Sequence, residues 1–245
     1  MPARTPPPDF GPPSTLSLDP ERIVYTISQL NHRIDERFPD SGLGRVCTSL
    51  LEVGEQTKDR LDRIERPVWW LRVATWLMAA LVIGGTIAAV RAVWLEIPTG
   101  FGSAFDAIQV LEAGIQDVIF IAVLLVFLMT AEDRMQRRAA LGYIRELRAI
   151  AHIVDMHQLT KDPDRMLQRV ADTESSPERS LSRDQLGRYL DYCSELLSLT
   201  SKLAALYAER FNDSVVLQAV DEVEALTGGL SAKIWQKIMV LDAIE

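Results

Sequence analysis

Apolar residues recur along most of this chain at three- and four-residue intervals, the spacing of one helix face. Ile23, Ile27, Leu30, Ile34 and Phe38 follow that spacing first. Asp19-Pro20-Glu21 opens the run. Asp is a favoured N-cap, Pro fits the first helical position, and Glu meets the positive end of the helix dipole. Pro39-Asp40-Ser41-Gly42 breaks the helix. Val46, Leu50, Val53, Leu61 and Ile64 carry a second helix, which Pro67 interrupts. Two helices joined so closely predict an antiparallel amphipathic hairpin over residues 19–66.

The pattern then changes from one-sided to apolar all round. Val73 to Val90 is eighteen residues with no charge and no Asn, Gln, His or Pro, and Val118 to Ala131 is fourteen more. A helix apolar on every side is buried in a large core or in a membrane. The first predicted span covers about 68–95. Trp69 and Trp70 mark one end and Trp94 the other, as interfacial aromatic belts do. Trp70 to Trp94 is about 36 Å of helix. Ala80, Gly84 and Ala88 form a small-residue seam on it, where a second helix can approach closely. The second span, about 113–131, borrows polar residues near Asp117 to reach across. Residues 96–112 make the outer connector, with a short surface helix in its second part. Lys58, Arg60, Arg63 and Arg66 precede the first span, and Arg134, Arg137, Arg138, Arg145 and Arg148 follow the second. The stretch from Trp94 to Ile115 has neither Lys nor Arg. The positive-inside rule then predicts both termini in the cytoplasm and the connector outside.

Beyond the second span the helix is expected to run on to about Leu159, with Leu141, Ile144, Leu147, Ala151 and Val154 as its seam. A short helix follows Asp162-Pro163-Asp164, then a polar loop over 172–182. Ser182 and Gln185 make a capping box for a helix reaching Phe211. That helix has two adjacent seams. Leu186, Leu190, Cys193, Leu197, Thr200, Ala204, Tyr207 and Phe211 form one, and Tyr189, Tyr192, Leu196, Leu199, Leu203 and Leu206 the other. A helix with two apolar seams belongs at the centre of a bundle. Thr227-Gly228-Gly229 is read as a turn between two final helices, the last over Leu230–Ile244.

The fold class read from this pattern is all-α: a two-helix transmembrane hairpin (67–131) with a cytoplasmic helical bundle, mainly residues 132–245. Residues 1–18, with Pro2, Pro6, Pro7, Pro8, Pro12 and Pro13, make a disordered or extended tail without the apolar segment of a signal peptide. A net charge of -8 argues against a nucleic-acid partner, which calls for a basic stripe. Two cysteines, Cys47 and Cys193, are too few for a disulfide framework. On the cytoplasmic side they are expected to be free thiols.

Three constellations carry candidate chemistry. Asp106, Gln109, Glu112, Gln116 and Asp117 share one helix face. They could ring the outer mouth of an oligomeric cation channel, or Asp117 could simply pair with Arg91 at the membrane rim. His152, Asp155 and His157 could ligate zinc in a membrane-bound metalloprotein. Their spacing is poor, because His157 lies about 140° round the helix from Asp155's partner His152. Trp235, between Lys233 and Lys237, could touch lipid or a partner, but reads better as a core residue with solvated lysines. No phosphate loop or nucleophile motif is present, so no cofactor and no catalytic residue is expected.

LRAIAHIVDMHQLTKDP (147–163), RYLDYCSELLSLTSKLAALYA (188–208) and KIWQKIMVL (233–241) resemble a group of uncharacterised bacterial two-span inner-membrane proteins. The resemblance implies a bacterial inner-membrane setting and a helical cytoplasmic C-terminal domain, with no catalytic residues. The role expected on these grounds is a membrane-anchored scaffold or interaction module. Its partners are the lipid bilayer, an unknown cytoplasmic protein, and further copies of itself through the transmembrane hairpin.

Overall fold

Local signals set the helix ends. In the computed structural model, which describes residues 17–65, 69–96, 104–161, 163, 174 and 181–243, α1 (Pro20–Arg37) starts where Asp19 accepts a hydrogen bond from the Glu21 amide. Asp40 turns the chain with φ 56°, a left-handed conformation that Asp tolerates better than most residues. α2 (Gly42–Glu65) follows, then α3 (Trp69–Glu96) and α4 (Ala104–Leu159). α5 (Arg183–Arg210) has the full capping box, with Ser182 accepting from the Gln185 amide and Gln185 from the Ser182 amide. Asp213 caps α6 (Ser214–Asp242) through the Val215 and Val216 amides. The described residues are all-helical.

The helix runs on from the second span to Leu159 as expected, but two other boundaries are corrected. The surface helix is not separate: from Ala104 it is continuous with the second span as one helix, α4. With no Pro or Gly-Gly between Ala104 and Leu159, nothing stops propagation once a helix has formed. The expected turn at Gly228-Gly229 lies inside α6. Each Gly costs a helix about 1 kcal/mol against Ala. Burial of Val223, Thr227, Leu230 and Ile234 on one face offsets that cost, and a break would lose it. Residues 1–16, the helix expected after Asp162 and the polar loop lie almost wholly outside the described residues, as do residues 97–103 of the outer connector.

The chain divides into two compact units, Met1–Arg63 with Ala139–Glu245, and Ile64–Arg138. In the first, α1 and α2 form an antiparallel hairpin, with Lys58 on Glu21 and Thr48 on Asn31. Gly54 lets α2 approach closely: a Cβ there would lie 3.3 Å from Val24 and 3.4 Å from Ile27. α5 is the shared core element. Tyr189 and Tyr192 take Phe38 of α1 edge-on, Leu203 reaches Gly54 of α2, and Tyr207 stacks on Tyr143 of α4. α6 packs antiparallel along it, its far end reached by the bond from Arg183 to the Asp242 carbonyl. Every residue of both α5 seams is buried except Phe211.

Arg60 fastens α2 to α4. It donates to Glu146 at 2.6 Å and to Gln56 at 2.7 Å, and its guanidinium lies 4.5 Å from the centre of the Tyr143 ring. The chain leaves this unit after Arg63 and re-enters at Ala139, both a turn or two beyond that contact. The exit and the return therefore lie at the same end of the bundle.

In the second unit the pattern inverts. Trp76, Leu77, Leu81, Ile83, Phe120, Val123 and Phe127 are all exposed. Arg72 pairs with Glu132 at 3.2 Å, and Arg134 lies over the Phe127 ring. α4 is the one described helix long and apolar enough to cross a membrane, and no part of its apolar window is buried within the chain. In α3 a shorter apolar segment, Arg72–Gly85, stands out.

Truncating the centre of α5 should be costly. Leu197→Ala, at a fully buried position, is expected to lower unfolding free energy by about 2–5 kcal/mol. Leu159→Ala, at an exposed one, should change it by no more than about 0.5 kcal/mol. Denaturant unfolding of the full chain in detergent, followed by helical circular dichroism, compares the two.

Candidate functional site

Arg91, Glu112 and Gln116 are exposed on α3 and α4. The side chains of Asp106, Gln109 and Asp117 lie outside the described residues, and with them the suggested Asp117–Arg91 pair. Ala80, Gly84 and Ala88 are exposed, and a Cβ at Gly84 would meet nothing within 4 Å. The seam therefore packs on no described part of this chain.

His152, Asp155 and His157 do not converge. His152 points to solvent, Asp155 accepts from Gln158 Nε2 at 2.6 Å, and the half-buried His157 imidazole lies against Gly42. Burial, with Arg45 and Lys161 nearby, holds His157 below its ordinary range. Among the described residues no three His, Cys, Asp or Glu side chains gather in a metal-binding group. Both cysteines are free and buried. Desolvation pushes Cys193 up to about 12, with Lys237 and Lys161 opposing. Desolvation and Asp35 do the same for Cys47, which also reaches about 12. Such thiols stay protonated and make poor nucleophiles or ligands.

The expectation for the last helix is reversed. Trp235 is 62% exposed, so it is not a core residue. Lys237 is not solvated. It donates to the Gln158 carbonyl, to Gln158 Oε1 and to the Lys161 carbonyl at 2.9, 2.7 and 3.2 Å. A cation there satisfies the open carbonyls at the α4 C-terminus and meets the negative end of its dipole. The reason is register. With α6 continuous, Val223, Thr227, Leu230, Ile234 and Leu241 are its buried seam, and Trp235 falls one residue, about 100°, off it. A turn at Gly228-Gly229 would have hidden that offset.

Trp235 lines a groove of about 520 Å³ between α1, α5 and α6. Ile23, Leu199, Trp235 and Ile238 form its apolar strip, and Arg22, Asp191, Glu195 and Lys202 are the charged lining. Three of those charges are ion-paired, and the fourth, Lys202, is hydrogen-bonded. Arg22 pairs with Asp19, Glu195 with Arg33 at 2.6 Å, Asp191 with Arg188, and Lys202 donates to Ser198 at 2.6 Å. An exposed indole beside an apolar floor with a satisfied polar rim is the usual make-up of a protein-binding hot spot. The groove combines residues far apart in sequence, so only the off-seam Trp235 could have announced it.

No protein-family model matches the chain, and no curated protein or solved structure shows significant similarity to it.

Two outcomes test this geometry. Lys237→Met should destabilise the chain by about 1–3 kcal/mol, because it removes three hydrogen bonds from a charged donor at a half-buried position, whereas Lys233→Met at an exposed position should change little. Denaturant unfolding measures both. The thiols should resist a water-soluble thiol reagent at pH 8 until denaturant is added. Their raised values make the unfolded chain ionise first. The stability they contribute is whole below about pH 8.5 and is lost as pH rises toward 12. Alkaline titration of the unfolding midpoint should fall through that window.

Proposed function

We propose that this chain is a membrane-anchored interaction module of the bacterial inner membrane. α3 and the first part of α4 cross the bilayer as a hairpin, both termini are cytoplasmic, and the helical bundle presents its groove to a protein partner. One observation carries the reading: an apolar stretch of α4 long enough to cross a membrane, none of it buried within the chain. In a water-soluble domain such a helix would be the core. Here the core is made by other helices. Each large apolar side chain moved from water into hydrocarbon gains about 1.5–3 kcal/mol, so a bilayer stabilises what water would not.

The remaining features agree with that assignment. The chain leaves and re-enters the bundle at one end, as a hairpin inserted between α2 and the rest of α4 requires. Basic residues flank both apolar stretches on that side and are missing from the connector. The bundle offers a binding groove and no catalytic constellation among its described residues. The exposed small-residue seam of α3 gives a second copy a place to pack within the bilayer.

Topology decides the reading. Single cysteines introduced at Ser103 and at Ser182 are challenged in intact cells with a thiol reagent that does not cross membranes. Ser103→Cys should label and Ser182→Cys should label only after lysis. Equal labelling of both before lysis, or of neither after it, contradicts the assignment.

A further inference from the structure

α2 and α4 are joined at both ends. At one end Arg60 reaches Glu146 and Tyr143. From Tyr143 to His157 is about 21 Å along α4, so His157 belongs to the other end. There the half-buried imidazole lies against Gly42, the first residue of α2. The fit is close, because a Cβ on Gly42 would run into the ring.

Positive groups gather at this contact. Arg45 of α2 and Lys161, just beyond α4, both act on the imidazole. The first amides of α2 add the positive end of a helix dipole. Lys237 of α6 binds the carbonyl of the next residue, Gln158, and so already occupies the negative end of the α4 dipole. Asp35 of α1 lies beside Gly44, and Asp40 holds Arg45 through its carbonyl. Asp155 accepts from Gln158, and Tyr189 of α5 lies under Lys161. Burial, Arg45 and Lys161 prevail, and a charged imidazole is disfavoured in this position.

We propose that the His157–Gly42 contact is an acid-sensitive latch: protonation drives the imidazole off the start of α2 and loosens the last turn of α4. Gln158 in that turn, with Lys161 beyond it, holds the Lys237 ammonium. Opening the latch therefore releases Lys237, two residues from Trp235, and with it the α6 wall of the groove. The sign follows from proton uptake. The open state binds the proton more readily, so the contact is whole above the ordinary imidazole value of 6.5 and weakens as pH falls below it. The latch rests neither on the membrane topology nor on the groove having a partner.

Hydrogen exchange of the full chain in detergent tests it, with each rate corrected for the intrinsic pH dependence of exchange. Between about pH 7.5 and about pH 5.5, corrected exchange should rise at least about threefold at the start of α2, the end of α4 and the α6 segment around Trp235. It should not rise at the centre of α5. His157→Gln should remove the response, and so should Gly42→Ala, whose methyl takes the place of the ring. His152→Gln, on the solvent side of α4, should keep it. No response in the unsubstituted chain, a response that survives both His157→Gln and Gly42→Ala, or a rise that includes the centre of α5 overturns the latch.

Discussion

The bundle depends on the need to cover both apolar seams of α5. Two adjacent seams leave this helix only a narrow polar side, through Arg188, Asp191, Glu195, Ser198 and Lys202, for water to solvate. Four other helices supply the cover: α1 through Phe38, α2 through the gap that Gly54 leaves, α4 through Tyr143, and α6 along its length. The N-terminal hairpin is therefore part of the same core as the C-terminal helices, although more than seventy residues separate them in sequence. The polar ties act on this packed arrangement and fix its register. Arg60 sets α2 against α4, and Lys237 holds the end of α4 against α6. Exposed ion pairs such as Lys58–Glu21 add little, because water screens both charges.

α4 joins two environments within one helix. Between Ile115 and Thr130 apolar residues face all round, and among the described ones Val118, Ile119, Phe120, Val123, Val126 and Phe127 are exposed and none is buried. From Ala140 on, only one stripe is apolar, and Ala140, Ile144, Leu147, Ala151 and Val154 are buried against the bundle. Between the two lies a turn of charged residues, Glu132, Asp133 and Arg134. The change of pattern coincides with the change of unit. It is the physical basis for assigning one part of the helix to lipid and the other to a soluble core.

Much of this was legible in the sequence, because periodicity reports burial directly. The seams of α1, α2 and α5 were readable residue by residue, and so were the Asp19 cap and the Ser182–Gln185 capping box. Where the reading erred, a local signal lost to a tertiary one. Gly228-Gly229 is a turn by propensity, but helix contacts on either side carry α6 through it. Trp235 and Lys237 were misassigned as a direct result, since a new helix starting at Leu230 has no fixed phase relative to Val223. The groove itself could not be read from sequence. It is formed by one side each of α1, α5 and α6, and periodicity within a helix does not say which helices are neighbours. The histidines before Leu159 were legible as residues, but not as a site, because nearness along one helix does not make side chains converge.

On the proposed topology a bilayer solvates the apolar lengths of α3 and α4 while the bundle keeps its own core. Extraction of cell membranes with alkaline carbonate should then leave the full chain in the membrane pellet. Recovery of the folded chain in the supernatant would contradict it.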